Sequence, residues 1–198
     1  SPLVDDSFDI LASQDQGPQV LSDVDFTKAS NWFTNSPIIE TPVLPSVTSS
    51  INNITPFPAN LEFFNLAIPS LGIKNASVKV NGEELSKSLI HYPGTALPGE
   101  TGSVVIFGHS TLPQFFKPDN YTSIFSTLPT TQIGADIFTT VDKVIYTYRV
   151  TKIYQVKPQD TWALRQVYDQ RLLKLVTCVP PGTTLRRLIV EAQLIENQ

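Results

Sequence analysis

From residue 61 onward no apolar pattern in this chain lasts long. Segments 61–68, 76–80, 103–108, 137–141, 144–156, 172–178 and 187–195 are short and rich in Val, Ile, Leu, Phe, Tyr and Thr, and Gly, Pro, Asn or Asp closes each within two residues. Such punctuation leaves no room for a bundle of helices and predicts β-strands joined by tight turns. Strict alternation supports this: Tyr146, Tyr148, Val150, Lys152 and Tyr154 share one face of a pleat, and Ile145, Thr147, Arg149, Thr151 and Ile153 the other. The link Val141-Asp142-Lys143-Val144 suits a hairpin. Helical pattern is confined to 121–127 and a turn within 161–168, so a mainly β, closed or nearly closed barrel is expected. No internal repeat is visible.

Composition divides the chain near residue 60. Residues 1–60 hold seven acids (Asp5, Asp6, Asp9, Asp15, Asp23, Asp25 and Glu40) against one base, Lys28, and seven of the prolines, embedded in Ser, Thr and Asn. This reads as an acidic linker or arm, 1–60, ahead of a compact domain, 61–198. Phe8-Asp9-Ile10-Leu11 and Trp32-Phe33 could dock parts of it on the domain. The formal charge of −4 offers no electrostatic basis for a nucleic-acid partner. No apolar run is long enough to span a bilayer and no signal-peptide pattern opens the chain, so any membrane anchor is expected to lie in an N-terminal segment outside this sequence.

One cysteine, Cys178, and two histidines, His91 and His109, exclude a disulfide scaffold and an ordinary structural zinc site; no metal or cofactor is expected. A lone thiol is either a buried small hydrophobe or a nucleophile. Cys178 closes one predicted strand before Val179-Pro180-Pro181-Gly182, and His109 follows another that ends in Gly108. Arg186-Arg187 opens the strand after the proline turn, and only one of the two can face the thiol, because successive side chains alternate. A thiolate can attack a carbonyl, an imidazole can carry its proton, and a guanidinium can hold an oxyanion. The alternatives at this point are an inert buried thiol, a turn histidine and a surface salt bridge.

His91-Tyr92-Pro93-Gly94-Thr95-Ala96-Leu97-Pro98-Gly99, Gly108-His109-Ser110, Leu175-Val176-Thr177-Cys178 and Arg187-Leu188-Ile189-Val190 occur in an order that resembles the sortase family. The likeness runs from about residue 63 to 195 and includes Ile68-Pro69-Ser70-Leu71-Gly72-Ile73 and Ile133-Gly134-Ala135-Asp136. It implies an eight-stranded barrel with one or two short helices and the chemistry of a bacterial cysteine transpeptidase. Such an enzyme cuts a Leu-Pro-x-Thr-Gly-like sorting signal through a thioester and passes the protein to an amine, from a cell-wall precursor or a pilin lysine. By motif, His109, Cys178 and Arg187 would be catalytic, with Arg186 facing away and His91 structural. Substrate contacts would come from Thr177 and from Trp162 and Leu164 in the connection between residues 156 and 171. An extracytoplasmic, membrane-anchored location is also implied.

Other features carry less. Leu128-Pro129-Thr130-Thr131 mimics a sorting signal but is followed by Gln132, the sequons at Asn53, Asn75 and Asn120 are given no weight, and Glu83-Glu84 reads as solvated turn surface. The arm has no Asp-Pro-aromatic motif of the kind that marks the lid of pilus-assembling sortases, though Trp32-Phe33 or Phe57 could still shield part of a groove. A sorting-signal-binding module without catalysis is the competing reading from another class.

Overall fold

A computed structural model describes residues 24–33 and 60–195. The placements considered above for Phe8-Asp9-Ile10-Leu11, Phe57 and Asn53 lie outside these residues.

Eight strands close into a barrel. They are β1 (Phe63–Ile68), β2 (Ile73–Val80), β3 (Leu89–His91), β4 (Gly102–Phe107), β5 (Asp136–Val141), β6 (Val144–Val156), β7 (Arg171–Val179) and β8 (Arg186–Leu194), ordered β1-β2-β3-β4-β7-β8-β6-β5. Closure comes from the antiparallel pairing of β1 with β5, which leaves no edge exposed. Helical structure among the described residues is limited to short 3-10 turns, including Thr161–Leu164. No helix in them is long and apolar enough to cross a membrane.

Local chemistry accounts for most of the elements. Asp142 and Lys143 take positive φ of 45° and 70°, the two-residue turn that matches the twist of β5 and β6. The three-residue β3 was not foreseen; it is too short to show a period and is held by parallel pairing with β2 and antiparallel pairing with β4. The alternation read along 145–154 does not persist. Between Val150 and Lys152 the register against β8 slips by one, a bulge at Thr151 that exchanges the two faces. Tyr148 and Val150 therefore point into the barrel, but Ile153 packs on the interior and Tyr154 on the outside.

Two apolar clusters result. The barrel interior gathers Leu66, Val78, Leu89, Val104, Ile106, Ile137, Tyr148, Leu173, Leu175 and Val190 among others. A second cluster lies on the outer face of β4, β7 and β8, where Val105, Phe107, Val176, Cys178 and Ile189 are covered by Ala29, Trp32 and Phe33 on one side and by Ala163 and Leu164 on the other. Because β4 and β7 are buried on both faces, they read in sequence as continuous apolar runs. Each large side chain buried in this way contributes about 1.5–3 kcal/mol.

Candidate functional site

The outer cluster holds Cys178, and Arg187 and His109 lie against its Trp32 ring. In the β7–β8 register Cys178 lies opposite Arg187, and β4, the strand that delivers His109, runs parallel to β7 with Phe107 opposite Val176. Beyond the paired region the two strands stay joined: Thr177 Oγ1 donates to the Gly108 carbonyl at 2.8 Å, and Ser110 Oγ donates to the Cys178 carbonyl at 2.7 Å. His109 is therefore bracketed by two bonds to the residues at and before the thiol. Gly108 has no space for a side chain, because a Cβ there would collide with Phe125 and with Leu89. Arg186 is exposed and Arg187 is 1% exposed, the alternation expected of β8.

Arg187 makes no ion pair among the described residues. Its Nε donates to the Trp32 carbonyl at 2.8 Å, and its Nη1 donates to the carbonyls of Thr184 at 2.9 Å and Arg186 at 3.2 Å. The guanidinium carbon lies 5.8, 5.6 and 5.9 Å from the ring centres of Phe26, Trp32 and Phe33. A buried cation is thus held by carbonyls and π-faces.

Residues 24–33 pack over Arg187 and against His109, which stays partly exposed. Trp32 is 0% exposed, its ring stacked on Phe107 at 5.3 Å and tilted toward the His109 ring at 5.8 Å. Its indole nitrogen donates to the Phe26 carbonyl at 2.8 Å, which closes the segment on itself. The cover is pinned to the β2–β3 connection: the Ala29 amide donates to the Glu83 carbonyl at 3.2 Å, the Leu85 amide to the Thr27 carbonyl at 2.9 Å, and Ser30 Oγ to Glu83 Oε2 at 3.0 Å. Of the two shields the sequence allowed, Trp32-Phe33 packs on the barrel while Phe57 lies outside the described residues, and Glu83 serves as part of the anchor.

Electrostatics follow from the covering. Burial pushes the Cys178 thiol up to about 11, with Arg187 pulling it partly back, and Cys178 is 5% exposed. Burial also lowers His109, opposed by Asp25 in the cover. Both shifts favour the uncharged forms of the two groups in this covered arrangement.

The other expected contacts are placed as follows. Thr177 is fully buried, with its hydroxyl committed to Gly108, so it joins β4 to β7 beneath the site and offers no surface for a substrate in this state. Leu164 packs in the outer cluster; Trp162 is 53% exposed and stacks on Tyr154 at 5.8 Å, nearly parallel. His91 is buried, its Nε2 bonded to Ala96 O and to Thr95 Oγ1. Leu128-Pro129-Thr130 forms a 3-10 turn with Leu128 in the core. Sequence reasoning missed Ser110, although its position after His109 was a signal, and Asp25, which no spacing could have linked to His109.

Comparison with known proteins adds the following. The family model of the Sortase domain matches residues 66–195. Among solved structures, the sortase D5 transpeptidase of Clostridium perfringens is 28% identical, with a TM-score of 0.58 over 68% of this chain and 79% of that one. A lid mutant of sortase A from Corynebacterium diphtheriae is 26% identical, with a TM-score of 0.60 over 70% and 72%, and sortase C-1 of Actinomyces oris is 27% identical, with a TM-score of 0.59 over 68% and 73%. A search of curated proteins returned no match.

Proposed function

The chain belongs to the sortase family, and from that premise we propose that it is a cysteine transpeptidase in which Cys178 is the nucleophile, His109 the proton carrier and Arg187 the oxyanion stabiliser. The observation that carries the assignment is the delivery of all three groups to one outer face by three adjacent strands, β4, β7 and β8. The substrate is a protein ending in a Leu-Pro-x-Thr-Gly-like sorting signal. Once residues 24–33 are displaced, Cys178 Sγ gives up its proton to His109 and attacks the Thr carbonyl carbon. The C–N bond to Gly breaks, and the imidazolium returns the proton to the departing amine. Arg187 Nε, freed from the Trp32 carbonyl, donates to the oxyanion. An amine then attacks the thioester, the C–S bond breaks and the thiol is restored.

In this reading the enzyme works outside the cytoplasm at the membrane surface, and its nucleophile is the amine of a cell-wall precursor. The covering segment motivates a second reading, in which the amine is a pilin lysine, although the segment lacks the Asp-Pro-aromatic motif of pilus-type lids. Rate enhancement of thioester release by a lysine peptide over a glycine-type amine separates the two.

Mass spectrometry of the protein incubated with a Leu-Pro-x-Thr-Gly peptide library, with and without added amine, tests the assignment. The expected result is an adduct on Cys178 that is released as a peptide-amine product, none in Cys178→Ala, and a minor fraction of turnover in Arg187→Lys, which keeps charge but loses the planar fork. Wild-type turnover in Cys178→Ala would sink the mechanism. Peptide binding with neither adduct nor cleavage would instead establish a non-catalytic binding module.

A further inference from the structure

The outer face of β7 continues away from Cys178 through Val176 to Lys174, and Lys174 is only 4% exposed. In the strand register the three residues face Arg187, Ile189 and Glu191, so the floor of the site ends in a buried lysine opposite a glutamate. That glutamate is committed elsewhere: its carboxylate bridges to Lys152 at 3.3 Å and accepts the Tyr154 hydroxyl at 3.5 Å. The hydrogen bonds of the Lys174 ammonium go instead to two backbone carbonyls, Ala163 at 2.9 Å and Arg165 at 3.4 Å. These carbonyls belong to the end of the Thr161–Leu164 turn, where no basic residue of the turn itself is available to meet them. On its other side the turn is stacked through Trp162 onto Tyr154.

We infer that Lys174 is a positioning residue for substrate recognition: its ammonium clamps the 161–165 turn over the floor formed by Val105, Val176 and Ile189, and so sets the wall against which the apolar start of a sorting peptide is read. The inference rests on the transpeptidase assignment. Two residues of strand advance the chain by about 6.6 Å, so Lys174 starts about 13 Å from Cys178 and acts on the reaction only through the wall. Burying an ammonium is expensive, and burial lowers the Lys174 pKa, with Glu191 across the strand pair pulling it partly back. A chain that needed only to fill this space would do so with an apolar side chain. What an apolar residue lacks is donors for the two carbonyls.

The test compares wild type, Lys174→Met, Lys174→Gln and Lys174→Arg in the full chain, with the best Leu-Pro-x-Thr-Gly library peptide as substrate. In Lys174→Met, KM should rise about tenfold with kcat nearly unchanged, the pattern of lost binding uniform to ground and transition states. Amide exchange of residues 161–165 should quicken by about tenfold, while iodoacetamide alkylates Cys178 at the wild-type rate. Lys174→Arg, which keeps donors, should restore KM, and Lys174→Gln carries the comparison if the Met variant fails to fold. An unchanged KM in a folded variant, or a fall in kcat and alkylation rate at constant KM, overturns the inference. Failure of the transpeptidase assignment is read separately, as wild type turning over no peptide of the library.

Discussion

At the scale of single residues, the buried basic groups Arg187, Lys174 and His91 are positioned by backbone atoms more than by carboxylates. Arg187 rests on three carbonyls, Lys174 on two, and His91 on the Ala96 carbonyl with Thr95. His91 shows what this costs: its Nδ1 is buried without a hydrogen-bond partner among the described residues, and burial lowers its pKa, as burial also does for His109. Each histidine stays neutral in the folded chain at pH values where the unfolded chain, titrating near its ordinary value, has taken up a proton. Their stabilising contribution is therefore complete above the unfolded value and is lost as pH falls below it, at up to about 1.4 kcal/mol per pH unit per group. The urea midpoint should drop between pH 7.5 and 5.5, and His91→Gln should flatten the drop; equal midpoints for wild type at the two pH values would contradict this.

At the scale of elements, the segment 24–33 holds the groups that the proposed reaction would use. Its Trp32 carbonyl occupies the Arg187 donor that the proposed mechanism assigns to the oxyanion, and its rings supply part of the burial that raises the Cys178 thiol. Trp32→Ala removes the ring stacked on Phe107 and next to His109, a loss of about 3–5 kcal/mol of packing for a fully buried Trp. Alkylation of Cys178 by iodoacetamide at pH 7 should then accelerate at least about tenfold, and its pH profile should shift to lower pH as the thiol is exposed. In wild type the rate should keep climbing into the alkaline range, toward the thiol value of about 11. Identical profiles for the two proteins would mean that the segment does not control access.

At the scale of the whole molecule, the barrel is closed by its own strands and its interior cluster contains none of residues 24–33, so the fold does not depend on the cover. Deleting residues 1–59 should leave a single cooperative urea transition with a β-rich circular dichroism spectrum. The midpoint should fall modestly, because Ala29, Trp32 and Phe33 no longer shield the outer cluster; an unfolded product would refute this independence. What was legible in the sequence follows the same division. Strand identity, the Asp142-Lys143 hairpin, the barrel class and the alternation that buries Arg187 and exposes Arg186 are dictated by residues a few positions apart, where period and turn chemistry act. Singling out Cys178, His109 and Arg187 as candidates needed only motifs along the chain. The bulge at Thr151, which reverses the faces of β6, required a partner strand to slip against. The three-residue β3 exists because two neighbours pair with it, and the carbonyls chosen by Lys174 and Arg187 lie 9 or more residues away for the former and, at Trp32, 155 away for the latter. Contacts between distant residues cannot be read from local pattern, because they form only where the closed barrel brings their backbones together.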